Sequence, residues 1–172
     1  MAGITSDTVG QAQAAKAGKY LTFKLGAEEY GLEILKVQEI IKMMDITRVP
    51  RTPAFVRGVI NLRGKVIPVV DLRLKFCMES RENTDKTCVI VVQVAQSGAA
   101  SGAVTMGTLV DEVSEVLDIT TEQIEPSPEF GTAVNTDFIL GMGKVAKKVV
   151  MLLDIDKVLS SGELAATAAI TN

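Results

Sequence analysis

The chain has 172 residues, 47% hydrophobic and 23% charged, with a formal net charge of −3 and no histidine. That length supports one ordinary domain or two small ones with a real core. The missing histidine excludes Ser-His-Asp chemistry, the common His-containing zinc sites and a phosphohistidine relay on this chain, and an acidic balance without tryptophan speaks against a nucleic-acid binder.

The opening "MAGITSDTVGQAQAAKAGK" lacks a basic segment followed by an apolar one. It reads as a flexible polar tail over residues 1–18, not a signal peptide. No apolar run reaches the roughly 20 residues of a membrane helix, so a cytoplasmic location is the expectation. "YLTFKL" (20–25) is the first strand candidate. "EILKVQEIIKMM" (33–44) suggests a short helix, with Ile34, Val37 and Ile41 on one face, although its β-branched content weakens that reading. "GVINLRGKVIPVVDL" (58–72) reads as a buried hairpin with Arg63-Gly64-Lys65 at its tip. Pro68 cannot donate to a ladder, which predicts an edge or a bulge for its strand.

Cys77 and Cys88 fit no zinc spacing and are expected to be reduced, small buried hydrophobes. "TCVIVVQV" (87–94) and "VVMLLDI" (149–155) are apolar on both faces, as strands covered on both sides would be. "AQSGAASGAVT" (95–105) between them is a Gly/Ser/Ala connector without anchor residues. "GMGKV" (141–145) has neither the upstream glycine nor the Ser/Thr of a phosphate loop. A short helix is expected after Asp156, with residues 161–172 as a short C-terminal helix or tail.

The chain repeats itself. A shift of 83 places "FVRGVINLRGKVIPVVDL" (55–72) on "FILGMGKVAKKVVMLLDI" (138–155) without a gap. A shift of 76 places "YGLEILKVQEI" (30–40) on "MGTLVDEVSEV" (106–116), matching Gly31 with Gly107, Glu39 with Glu115 and Ile40 with Val116. "TPAF" (52–55) likewise resembles "SPEF" (127–130), and "YLTFKL" resembles "VIVVQV" (89–94). Two copies follow, about 19–86 and 87–160. Each is mostly strand and small enough to need a shared apolar face with the other. Their charges differ: 13 Lys/Arg against 9 Asp/Glu over 19–86, and 4 against 11 over 87–172, which argues against one partner surface used twice.

Arg63 falls opposite Ala146 of the second copy, and Gly64 implies a positive φ or a close approach. A planar guanidinium suits bidentate pairing with a carboxylate, and Glu39 is the candidate partner. With Ala146 opposite Arg63, that pair is expected in the first copy alone. An exposed ion pair adds little stability, so orienting a binding surface is the better reason to keep it.

"EEYGLEILKVQEI", "ITRVPRTPAFVRGVINLRGKVIPVVDLRLKF" and "VDEVSEVLDIT" resemble the CheW family of bacterial chemotaxis coupling proteins, from about Lys19 to Leu159. The resemblance implies a mainly β fold: two similar five-stranded SH3-like barrels around a shared apolar core, with a few short helices. It implies no enzymatic activity and no cofactor. The implied task is to bridge the cytoplasmic tips of transmembrane chemoreceptors to the regulatory domain of the histidine kinase CheA, in arrays at the inner face of the membrane.

By motif position, the resemblance assigns protein binding to Val37, Glu39, Ile40, Gly58, Asn61, Arg63 and Gly64. Val37 and Ile40 are expected in a receptor groove between the barrels, and Ile46–Phe55 near the kinase. One alternative lies within signalling and two come from other classes. The chain could be a fragment of a larger kinase, although its polar tails fit a stand-alone protein better. It could be an enzyme using Asp71 and Asp154, which more often form turns at strand ends. It could sense a small ligand between the barrels.

Overall fold

A computed structural model of the chain describes residues 17–76, 78–79, 82–95, 103–126 and 138–159. The expectations for the N-terminal tail, Cys77, most of the 95–105 connector, "SPEF" and the C-terminal tail lie outside these residues. Among the described residues eleven strands run in order: β1 (Gly18–Leu25), β2 (Glu28–Glu33), β3 (Val37–Lys42), β4 (Val56–Leu62), β5 (Lys65–Asp71), β6 (Cys88–Ala95), β7 (Ala103–Val110), β8 (Glu112–Ile119), β9 (Ile124–Glu125), β10 (Ile139–Val145) and β11 (Lys148–Leu153). Two one-turn helices, α1 (Leu72–Lys75) and α2 (Ile155–Val158), follow β5 and β11.

The strands form one sheet ordered β8-β1-β2-β11-β10-β9 and another ordered β3-β6-β7-β5-β4. These give the two SH3-like barrels expected, the first with β9 as a short addition. The barrels do not coincide with the two sequence copies. The repeat equates β3 with β8, β6 with β1, β7 with β2, β5 with β11 and β4 with β10. Applied to the second sheet, this correspondence reproduces the order of the first. Each barrel is therefore the opening hairpin of one copy inserted among the last three main strands of the other.

The register repeats as well. Val69 pairs with Gly107 in the parallel β5·β7 contact, and Leu152 pairs with Gly31 in the parallel β11·β2 contact. The backbone N–H of Asp71 donates to Phe55 and that of Asp154 to Phe138, at 2.7 and 2.8 Å.

Three apolar clusters hold this arrangement. Val69, Val89, Val91 and Ile60 fill one barrel; Tyr20, Ile119, Val150 and Leu152 fill the other. The largest lies between the barrels and joins Phe23, Leu25 and Leu32 to Ile90, Val92 and Met106. β6 supplies Val89 and Val91 to a barrel interior and Ile90, Val92 and Val94 to the shared core. That division explains why its sequence is apolar at every turn of the pleat. Cys88 is buried at the edge of the shared core, and burial raises its thiol pKa.

Two local expectations change. Residues 33–44 are a single 3-10 turn at Ile34–Lys36 followed by strand β3, because Ile41 and Val37 find apolar partners across the β6 ladder. Pro68 lies on an inner strand and not an edge, with β5 between β7 and β4, while the alternative expectation of a bulge is met by the register slip of the β4·β5 pair between Val56 and Gly58. It is tolerated there because the parallel ladder with β7 begins only at Val69.

Candidate functional site

β4 and β5 join through a two-residue turn, since Leu62 pairs directly with Lys65. Arg63 and Gly64 both have positive φ, 53° and 86°, the sign pattern of a type I′ turn that suits the twist of a hairpin. The sequence reading located this demand at Gly64 alone. In the second copy the equivalent turn has positive φ at Ala146 only, 55°. Asn61 Oδ1 accepts the N–H of Gly64 at 2.8 Å and so closes the turn from within.

The turn delivers Arg63 to Glu39 on β3, the strand at the opposite edge of the same sheet. Nη1 donates to Oε2 and Nη2 to Oε1, both at 2.6 Å, a fork-to-fork pair. A slip in the β3·β6 register between Val37 and Glu39 sets Glu39 opposite Val91. The guanidinium is 70% exposed and the carboxylate 22%. The hydrogen bonds from Arg63 hold the Glu39 carboxyl below its ordinary range.

A group whose folded pKa is depressed contributes above its unfolded value and stops contributing as pH falls through the folded one. The pair is thus intact throughout the neutral range. In an NMR titration the Glu39 midpoint is expected to lie below the ordinary glutamate value, and Arg63→Ala to return it upward. An unchanged midpoint in the variant would contradict the pairing.

The expected residues separate into three groups. Glu39, Arg63, Asn61 and Gly64 meet at the hairpin tip, and Ile40 stands beside Glu39 with nearly half its surface exposed. Val37 packs instead against the shared core. Gly58 is buried on β4, where a Cβ would lie 2.1 Å from the carbonyl oxygen of Thr47. Val37 is half-buried and Gly58 buried.

The second copy also departs from expectation. It lacks an arginine at Ala146, yet Lys148 Nζ, from the far side of the turn, comes to 3.8 Å from Glu115. The ion pair is thus not confined to the first copy, although only there is it bidentate. Sequence reading missed Val66, exposed on β5. The repeat held the signal: Val66 aligns with Val149 and Ile40 with Val116, and all four are exposed apolar residues.

Asp71 and Asp154 serve as helix caps. Each accepts backbone N–H groups at the start of its own short helix, from Arg73 and Leu74 and from Asp156 and Lys157. Asp71 additionally accepts from Arg57 at 2.8 Å. Among the described residues no cluster of three or more acidic or cysteine side chains is arranged to hold a metal ion. An open cleft of about 440 Å³, lined by Lys24, Glu82, Asp85 and Asp111 among others, is polar. None of the described helices is long and apolar enough to cross a membrane.

Residues 19–163 match the CheW-like domain family. The chain is 42% identical over 162 residues to a chemotaxis protein CheW from Klebsiella aerogenes, covering 94% of this chain and 89% of that one. It is 34% identical over 137 residues to a chemotaxis protein CheW from Bacillus subtilis, covering 80% and 81%. The crystal structure of the scaffolding protein TtCheW from Thermoanaerobacter tengcongensis superposes with a TM-score of 0.73 at 35% identity, covering 86% of this chain and 95% of that one.

Proposed function

This chain belongs to the CheW-like family and is a chemotaxis scaffold, and from that premise we propose that it couples chemoreceptor tips to the regulatory domain of the histidine kinase CheA in arrays at the inner face of the membrane. The observation that carries the reading is the Glu39–Arg63 fork. It is a rigid, exposed, doubly bonded pair at a hairpin tip, with the exposed apolar Ile40 one residue from its carboxylate. An apolar contact supplies affinity and an adjacent fixed charge pair supplies register, the usual division of labour at a protein interface. Weak contacts of this kind become effective when many copies act together in an array. The adaptor performs no chemistry of its own, and kinase control follows from the geometry in which it holds its partners.

Receptor binding is proposed for the Glu39–Arg63 tip with Ile40. Kinase binding is proposed for Ile46–Phe55, which Thr47 ties to β4 through paired bonds to Val59 of 2.8 and 2.9 Å. Arg63→Ala is expected to weaken binding of a receptor-tip fragment roughly tenfold, with the urea midpoint unchanged. Asn61→Ala is expected to weaken it less, because Arg63 remains while its turn loosens. Binding to the isolated kinase regulatory domain, measured by the same titration, should be the same for both variants and wild type. A large fall in urea midpoint for Arg63→Ala, with receptor affinity intact in the folded fraction, would make the pair structural and end this reading.

A further inference from the structure

The interleaved barrels pose a problem of self-recognition. The two copies are alike in strand order and register, yet β2 must settle beside β11 of the other copy and β7 beside β5. Nothing in the backbone ladder forbids β2 from pairing with β5 of its own copy, or with β5 of a second chain. At each correct junction the crossing between barrels makes an ion pair with the helix that follows the neighbouring strand, and these two pairs have opposite polarity.

Lys36 lies between β2 and β3, where the chain crosses from one barrel to the other. Its Nζ donates at 2.8 Å to Asp156, in the helix that follows β11. Asp111 lies at the corresponding crossing between β7 and β8. It accepts from Arg73 Nε and Nη2 at 2.7 and 2.6 Å, in the helix that follows β5. The repeat that equates the two helices places Arg73 on Asp156. Both contacts are largely withdrawn from solvent, the side chains being 33% and 29% exposed at the first and 12% and 17% at the second. At these two helix contacts the first copy thus contributes the cation and the second copy the acid. On the β2·β11 ladder itself Lys148 Nζ pairs with Glu29 at 3.0 Å in the opposite sense, and since Lys148 aligns with Lys65 that pair does not distinguish the two neighbours.

We propose that this reversed polarity is what makes the copies recognise each other and reject themselves. If β2 settled beside β5, Lys36 would face Arg73. If β7 settled beside β11, Asp111 would face Asp156. Like charges in a half-buried contact penalise both mispairings, within one chain and between two, while the native pairing satisfies all four groups. The charge difference between the copies thereby has a use inside the molecule as well as on its surface.

The exchange Lys36→Asp with Asp156→Lys isolates this effect. It keeps an opposite pair at the native junction but makes both like-copy junctions attractive, an acid now facing Arg73 and a lysine facing Asp111. After unfolding in urea and refolding by dilution at several protein concentrations, size-exclusion chromatography and native hydrogen exchange report the products. The misassembled fraction, as dimers or as monomers with altered protection, is expected to rise several-fold over wild type. Adding Arg73→Asp with Asp111→Arg restores discrimination and should return the yield towards wild type. Lys36→Met with Asp156→Met removes the penalty on both wrong pairings without making either attractive, and should give a misassembled fraction between wild type and the exchange. A single wild-type-like monomer from the first exchange would overturn the proposal. So would a methionine pair that misassembles as much, or a fourfold exchange that recovers nothing.

Discussion

Gly58→Ala is expected to lower stability by about 3 kcal/mol or more, read as a fall in urea midpoint at unchanged slope. The added Cβ would lie 2.1 Å from the Thr47 oxygen and 2.8 Å from its carbonyl carbon, and these are backbone atoms that no rotamer change can move aside. The residue also has φ of 139°, which L side chains rarely adopt. Relief requires breaking the two bonds between Thr47 and Val59, which anchor the segment leading to Arg48 and Pro53. The same substitution should therefore loosen the proposed kinase-binding loop at denaturant concentrations where the barrels still stand. Gly64→Ala makes an instructive contrast. Its φ is 86° but a Cβ there would meet nothing, so about 1 kcal/mol of backbone strain is the expected cost. A Gly58→Ala protein as stable as Gly64→Ala would show that β4 can move away from Thr47.

Phe23→Ala should cost about 3–5 kcal/mol, the range for deleting a large buried ring. Phe23 is fully buried in the core between the barrels. It begins a run of stacked rings that continues through Tyr30, Phe76 and Phe138, with centroids 5.8, 5.7 and 5.3 Å apart. The run joins β1, β2, the end of α1 and the start of the β10 hairpin, so it crosses between the copies. Loss of the first ring opens a cavity and removes a stacking contact, and the remaining rings are held by β2, the end of α1 and the start of the β10 hairpin. The loss should appear as one cooperative transition, because neither barrel is built from one copy alone. Two separated transitions in a urea melt would show that the barrels are independent.

Much of this was legible in the sequence because duplication leaves two readings of each feature. The shift of 83 residues located the paired hairpins, the matching Phe55 and Phe138, and the capping Asp71 and Asp154. The Glu39–Arg63 pair followed from its chemistry and from the contrast with Ala146. Strand exchange between copies was not legible. It depends on which of two nearly equivalent neighbours β2 and β7 choose, and apolar pattern is the same for both choices. The charges that distinguish them, Lys36 with Asp156 and Arg73 with Asp111, lie 120 and 38 residues apart and belong to no short motif. Residues 33–44 misled for a related reason: Ile34, Val37 and Ile41 fit one helix face, but the partner strand that makes β3 a strand lies about fifty residues later. The packing of Val37 against the shared core and of Gly58 against Thr47 depends on neighbours that the motif alone does not name.

The most direct test of the scaffold reading is kinase autophosphorylation in receptor-bearing membranes, with and without this protein. The account predicts a receptor-dependent rise in kinase activity only when the wild-type protein is present, and a much smaller rise with Arg63→Ala at equal concentration. A folded wild-type protein that changes nothing and co-sediments with neither receptor nor kinase would contradict it.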